Sequence, residues 1–360
     1  MATVRLRHFM VDSTFSETAD DIYSHFYFQS EYDIDIDLAL LLEANTMAER
    51  DIDHEQRFQV LQNEQRIVLS YLHQAGPRDH LRLDNKNFAA TAGHIKRFVC
   101  ESVGLGMLTA AVQEYFAWTL GPDSIANFDI LPGHLKNTFA KKGVRPDLLF
   151  DFKDGARMLA GEARGRSKIG PQGNETWREQ HKRMREIIQW SADHGAYPVT
   201  MTWTYLGGSG VQVDLFTVSD RSLGAFDYVP PAIEYAARRQ ITEESIERSE
   251  QRAASLFNSA PSIRRHKPRT LFGREVRGSW VTADLVHPSR VRLFLGAMEQ
   301  PLGESELRAA RSRLRRRTSQ RTESLEAALN DRLVLIVAQS DDPEPDWRRV
   351  ETLIERGELQ

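Results

Sequence analysis

RPDLLFDFKDGARMLAGEAR, residues 145–164, holds two short apolar runs on either side of Asp154-Gly155, the dipeptide that suits a tight hairpin turn. The runs at 147–153 and 156–164 read as strands of one antiparallel pair. Alternate side chains of a strand share a face, so Asp147, Leu149 and Asp151 project together while Leu148 and Phe150 pack the other way. On the partner strand Ala160, Glu162 and Arg164 share a side. A turn at 154–155 can bring Asp147 and Glu162 close to each other, with the register left open by the sequence. Two carboxylates meeting at a sheet edge make a hard oxygen site suited to Mg²⁺ or Mn²⁺. Such an ion lowers the pKa of bound water and stabilises charge developing on a phosphodiester, which is the chemistry of phosphate hydrolysis.

Upstream of the hairpin, apolar spacing predicts helices from about Asn87 to Phe98 and from about Leu105 to Leu120, the latter with Leu108, Ala111, Val112, Tyr115 and Phe116 on one face. Gly104-x-Gly106 reads as the start of that second helix, since it lacks the third glycine of a dinucleotide fingerprint. Downstream, a Gly-rich loop at 165–174 leads to a helix at 175–194 with Trp177, Met184, Ile187, Ile188 and Ser191 facing inward. Strands at 197–206 and 211–218 follow, joined by a turn at Gly207-Gly208-Ser209-Gly210. The order is helix, strand, strand, helix, strand, strand.

Further out the signals are weaker. Residues 1–30 give no assignment, and residues 34–75 have the three-to-four spacing of two or three helices. A long polar helix is expected from Pro230-Pro231 to about Phe257, then an exposed linker at 261–269. Short strands around 270–295, a basic helix at 304–329, a strand at 333–338 and a closing helix from Trp347 complete the chain. These readings divide it into a helical N-terminal region (1–90), a central α/β core (91–225) and a mixed C-terminal region with a basic helix (226–360).

The central segment resembles the PD-(D/E)XK, or restriction-endonuclease-like, nuclease superfamily, on Pro146-Asp147, Glu162-Ala163-Arg164 and the order of helices and strands around them. The resemblance spans about 130 residues and implies an α/β fold with a mixed sheet. It also implies Mg²⁺ or Mn²⁺ held by Asp147 and Glu162, with the Ala163 carbonyl as an additional ligand. By the same resemblance Glu114, in the helix before the hairpin, stands beside the metal, and Gln180 is the helix glutamine near the site. The implied activity is a metal-dependent nuclease hydrolysing phosphodiester bonds in DNA, in bacterial defence or mobile-element biology. At position 164 the usual Lys is Arg. Arginine stays protonated and cannot be a general base, whereas its planar fork can bind a phosphate or orient water. Lys153 and Lys168 are spatial substitutes to be considered. The departure also supports an alternative, a catalytically silent nucleic-acid or protein binding subunit.

With 360 residues and a formal net charge of −4, the chain as a whole does not declare a nucleic-acid partner; the distribution of charge matters more. Acidic residues crowd the first fifth, and arginines concentrate in RAARSRLRRRTSQR at 308–321. Arg164, Arg166, Lys168, Arg178, Lys182, Arg183 and Arg185 surround the hairpin pair in sequence, as phosphate-backbone binding requires. The single cysteine, Cys100, excludes an internal disulfide and a cysteine-built zinc cluster, and reads as a small core residue. The eleven histidines show no two-imidazole metal spacing. No apolar run spans a bilayer and no secretory leader opens the sequence, so the expected location is cytoplasmic. The expected partners are nucleic acid, DNA first, then a protein partner or homo-oligomer, with no membrane.

Overall fold

The structure, a computed structural model, describes residues 2–12, 25–47, 55–74, 79–118, 124–128, 145–152, 158–194, 197–218, 265–283, 291–316, 325–330, 332–340, 342 and 344–356. In chain order, β1 (Ala2–Val11) and β2 (Phe26–Ile36) precede helices α1 (Leu38–Met47) and α2 (Glu55–Ser70). Two short strands, β3 (Leu72–His73) and β4 (Arg82–Leu83), and helices α3 (Asn85–Ala89) and α4 (Gly93–Tyr115) come next. Then follow β5 (Ile125–Asn127), β6 (Leu148–Phe150), β7 (Leu159–Arg166), α5 (Arg178–Asp193), β8 (Val199–Leu206) and β9 (Val211–Val218). The last unit comprises β10 (Arg269–Leu271), β11 (Arg274–Thr282), β12 (Val291–Met298), α6 (Glu304–Arg316), β13 (Leu325–Leu329), β14 (Leu333–Gln339) and α7 (Trp347–Glu351), which continues as a π-helical turn, Thr352–Arg356.

Among the described residues, seven strands make one mixed sheet in the order β2-β1-β9-β8-β7-β6-β5. The β1–β9 and β7–β8 pairs are parallel and the others antiparallel. Helix α4 covers one face and α5 the other, which is why β8 is buried along its whole length and its sequence VTMTWTYL is a continuous run of β-branched and aromatic residues. Alternation assigns each side. Leu148, Phe150 and Ala163 pack with Leu108 and Val112 of α4, whereas Leu149 and Ala160 pack with Ile187 and Trp190 of α5.

The chain is thus mixed α/β, and several boundaries differ from the sequence reading. The N-terminal region is not purely helical: β1 and β2 complete the central sheet, so the core does not begin at residue 91. Arg5, Arg7 and His8 interrupt the apolar alternation of β1, and β2 is a largely exposed edge strand that tolerates Glu31, Asp33 and Asp35. Where two helices were expected between 87 and 120, α4 runs unbroken through Gly104 and Gly106. Those glycines are there for close approach. A Cβ on Gly106 would collide with the Leu41 carbonyl, and one on Gly104 would press on the backbone of Gly165.

The C-terminal strands make an antiparallel sheet, β10-β11-β12-β14-β13. Leu293, Leu295, Leu335 and Val337 turn to α1 and α2, and Phe294, Val334 and Ile336 turn to α6 and α7. The first set shares one hydrophobic cluster with Val4, Leu6, Val103 and Val213, so α1 is sandwiched between α4 and the second sheet. The buried Glu326 carboxylate accepts the Leu38 backbone N–H at 2.5 Å, meeting an orphan donor at the start of α1. The basic helix is shorter than expected, with β13 already under way at residue 325. The Asp154-Gly155 turn, Lys153, the polar helix at 230–257 and Arg317 to Arg321 lie outside the described residues.

Candidate active site

β6 and β7 are antiparallel with Leu148 opposite Gly161 and Leu149 opposite Ala160, so Asp147 falls opposite Glu162. The Asp147 N–H donates to the Gly161 carbonyl at 2.8 Å. Asp147 Oδ2 accepts the Ala163 N–H at 2.7 Å, so the carboxylate continues the ladder where β6 has not yet begun. Both acids project to the α5 face, as alternation requires. This places Ala163 at the site through its N–H, with its methyl turned to α4.

Glu162 is wholly buried, at 0% exposure. Its Oε1 takes three guanidinium nitrogens: Arg164 Nη2 at 2.7 Å, Arg183 Nη2 at 2.6 Å and Arg183 Nε at 2.7 Å. Its Oε2 is buried with no hydrogen-bond partner. Burial pushes the Glu162 carboxyl up to about 8; the Asp147 charge adds to this, and Arg164 and Arg183 pull against both. The sequence placed Arg164 correctly beside the pair. It named Arg183 only among the surrounding cations, though a basic residue four before Ile187 of the inward stripe marks the rim of that buried face.

Glu114 and Gln180 do not join the pair. Glu114 lies exposed in the last turn of α4, on the opposite face of the sheet, where its charge adds to burial in raising the Tyr32 phenol of β2. The charges acting on Glu162 are those of Asp147, Arg164 and Arg183. Gln180 is buried one turn before Arg183: its Oε1 accepts the Trp177 N–H and its Nε2 donates to Asp214 Oδ2, both at 2.7 Å. Helix period explains the exchange, because positions 180 and 183 lie about one turn apart along α5 and reach different strands.

Asp214 belongs to a second buried cluster that the sequence did not single out. Arg7 grips it bidentately, Nε to Oδ1 at 2.8 Å and Nη2 to Oδ2 at 2.6 Å. Arg7 Nη1 donates to the Gly173 and Glu175 carbonyls, and Gln212 Nε2 donates to Asp214 Oδ1 and the Pro171 carbonyl. Burial raises the Asp214 carboxyl, opposed by Arg7, Gln180 and Gln212. The signal was available: an Asp in the middle of the apolar strand VQVDLFTV requires a buried partner. The cluster fastens the 170–175 loop to the sheet, two strands away from Glu162 on the same face.

Two carboxylates with one orphaned buried oxygen fit a hard divalent cation that keeps several waters. Among the described residues no group of three or more His, Cys, Asp and Glu gathers here or elsewhere to form a closed cage. Arg164 is 30% exposed and Arg183 17%, so the pair is reached past a rim of guanidiniums suited to phosphate. Also among the described residues, no helix is long and apolar enough to cross a membrane. No family model, curated protein or solved structure matches this chain, and the geometry of the hairpin alone speaks for its chemistry.

Proposed function

We propose that the chain is a Mg²⁺- or Mn²⁺-dependent phosphodiesterase with a restriction-endonuclease-like core, acting on nucleic acid and on DNA first. The observation that carries this reading is the buried Glu162 with its unpartnered Oε2 beside Asp147 on one β-ribbon. An unsatisfied carboxylate oxygen in a site of that kind is costly unless a ligand meets it. Asp147 and Glu162 would hold the ion, which supplies a bound water of lowered pKa and stabilises charge on the phosphate. Glu162 has to release its proton for this, since only the carboxylate is a ligand. Arg164 and Arg183 stay protonated, so their part is to receive phosphate oxygens and to offset charge as a dianionic centre builds.

A second reading is favoured by those same guanidiniums. Three of their nitrogens already neutralise Glu162 Oε1, an arrangement that also serves a binding module without cleavage. Incubation of the full chain with plasmid, linear and single-stranded DNA in Mg²⁺ or Mn²⁺ separates the two. Cleavage abolished by EDTA, by Asp147→Asn and by Glu162→Gln supports the enzyme; cleavage that survives both substitutions refutes this site. Salt-sensitive binding with no cleavage supports the second reading.

A further inference from the structure

We infer that a single nucleic-acid strand is bound along β7, with its successive phosphates carried by Arg164, Arg166 and Lys168. This rests on the phosphodiesterase reading and adds the form of the substrate. Arg164 and Arg166 project on the face of Glu162, two residues apart on an extended strand, a step of ~6.7 Å. That interval is close to the separation of successive phosphates along one extended strand. Lys168 follows two residues further on, in the bend just past the end of β7.

The outer two cations are held in place and left available. The Arg166 guanidinium lies 5.3 Å from the Trp203 ring centroid, and the Lys168 ammonium 3.5 Å from that of Trp177. Arg166 and Lys168 are exposed, and among the described residues neither is paired with a carboxylate, unlike Arg164 and Arg183. Ring faces therefore orient these charges without neutralising them. On β8, next to them, Trp203 and Tyr205 are buried and give the site an aromatic floor. Among the described residues, β6 pairs with β7 at residues 159–161 and not along 162–166. A duplex would call for cations facing two backbones, whereas these three follow one another along a single segment, β7 and the bend after it.

The test is fluorescence anisotropy of the full chain in EDTA, so that binding is read without cleavage, using a labelled DNA strand, the RNA of the same sequence and the matching duplex over a range of salt. Either single strand is expected to bind at least about tenfold more tightly than the duplex, and Arg166→Ala and Lys168→Ala each to lower the salt slope by about 0.7. Arg348→Ala, an exposed cation at α7, is expected to leave the slope unchanged, with circular dichroism confirming that every variant is folded. A preference for DNA or RNA names the source of the strand. Equal or tighter duplex binding, no binding, or an Arg166→Ala/Lys168→Ala protein with the wild-type slope overturns the inference. Cleavage in Mg²⁺ by the double variant with unchanged KM would overturn it and spare the catalytic reading; strand binding through these cations without cleavage would do the reverse.

Discussion

Glu162 concentrates opposing demands on one side chain. Its folded-state carboxyl is raised from 4.5 to about 8, so the folded protein retains a proton that the unfolded chain gives up. The stability this group contributes is full below pH 4.5 and is lost as the pH rises through about 8. Glu162→Gln keeps the shape but cannot ionise, and is expected to remove that slope. Urea midpoints for the two proteins should converge at low pH and separate toward pH 8 with the variant the more stable; parallel curves would contradict the assignment. Under the proposed function, divalent-ion binding would have the opposite sign, because the ligand form is the carboxylate. Mn²⁺ affinity followed by electron paramagnetic resonance is expected to rise about tenfold per pH unit from about pH 6 to about pH 8, and a flat profile would count against Glu162 as a ligand. At this scale Asp147, Glu162 and Arg164 were legible from strand alternation and a turn dipeptide. Gln180 and Glu114 were not, since a helix position shows its face only once its neighbours are known, and Arg183 reaches the acid in place of Gln180.

At the scale of elements, two contacts fix how the site is carried. The Arg7–Asp214 pair joins β1 to β9 and holds the loop after Lys168, so removing either charge leaves the other buried and unmet. Arg7→Met or Asp214→Leu alone is expected to lower stability by about 3–5 kcal/mol in urea, and the double replacement by clearly less than the sum. Additive losses would show that the two do not act as a pair. The other contact is where β7 meets α4: a Cβ on Gly165 would collide with the Cys100 carbonyl, which is backbone and cannot turn aside. Gly165→Ala is expected to destabilise by about 3 kcal/mol, whereas Gly93→Ala, with nothing near its Cβ direction, should be neutral or stabilising because alanine favours the helix. Thermal melts of the two variants check this pair of outcomes. The run of α4 through two glycines was hidden from the sequence for the same reason: close packing, not helix propensity, decided it. β8, β9 and β14 were plain, because strands buried on both faces are rich in β-branched, aromatic and other apolar residues, while β1 hid a buried arginine among its apolar residues.

Across the whole molecule, the expected three-part division gives way to a shared core. One hydrophobic cluster takes in β1, α1, α2, α4, β9, β12 and β14, and Glu326 of the second sheet caps α1 of the first unit. Scanning calorimetry of the full chain is expected to give one cooperative transition, with calorimetric and van't Hoff enthalpies in agreement; two well-separated transitions would show independent units. Long-range packing of this kind leaves no mark on local periodicity, which is why the sequence suggested boundaries at 90 and 225. The β6–β7 ribbon itself is packed in two smaller clusters, one on α4 and one on α5. The most direct trial is a crystal of the full chain soaked in Mn²⁺ and read by anomalous scattering. The account predicts a peak within about 2.2 Å of a carboxylate oxygen of both Asp147 and Glu162, and a manganese-free ribbon with ions bound elsewhere would contradict it.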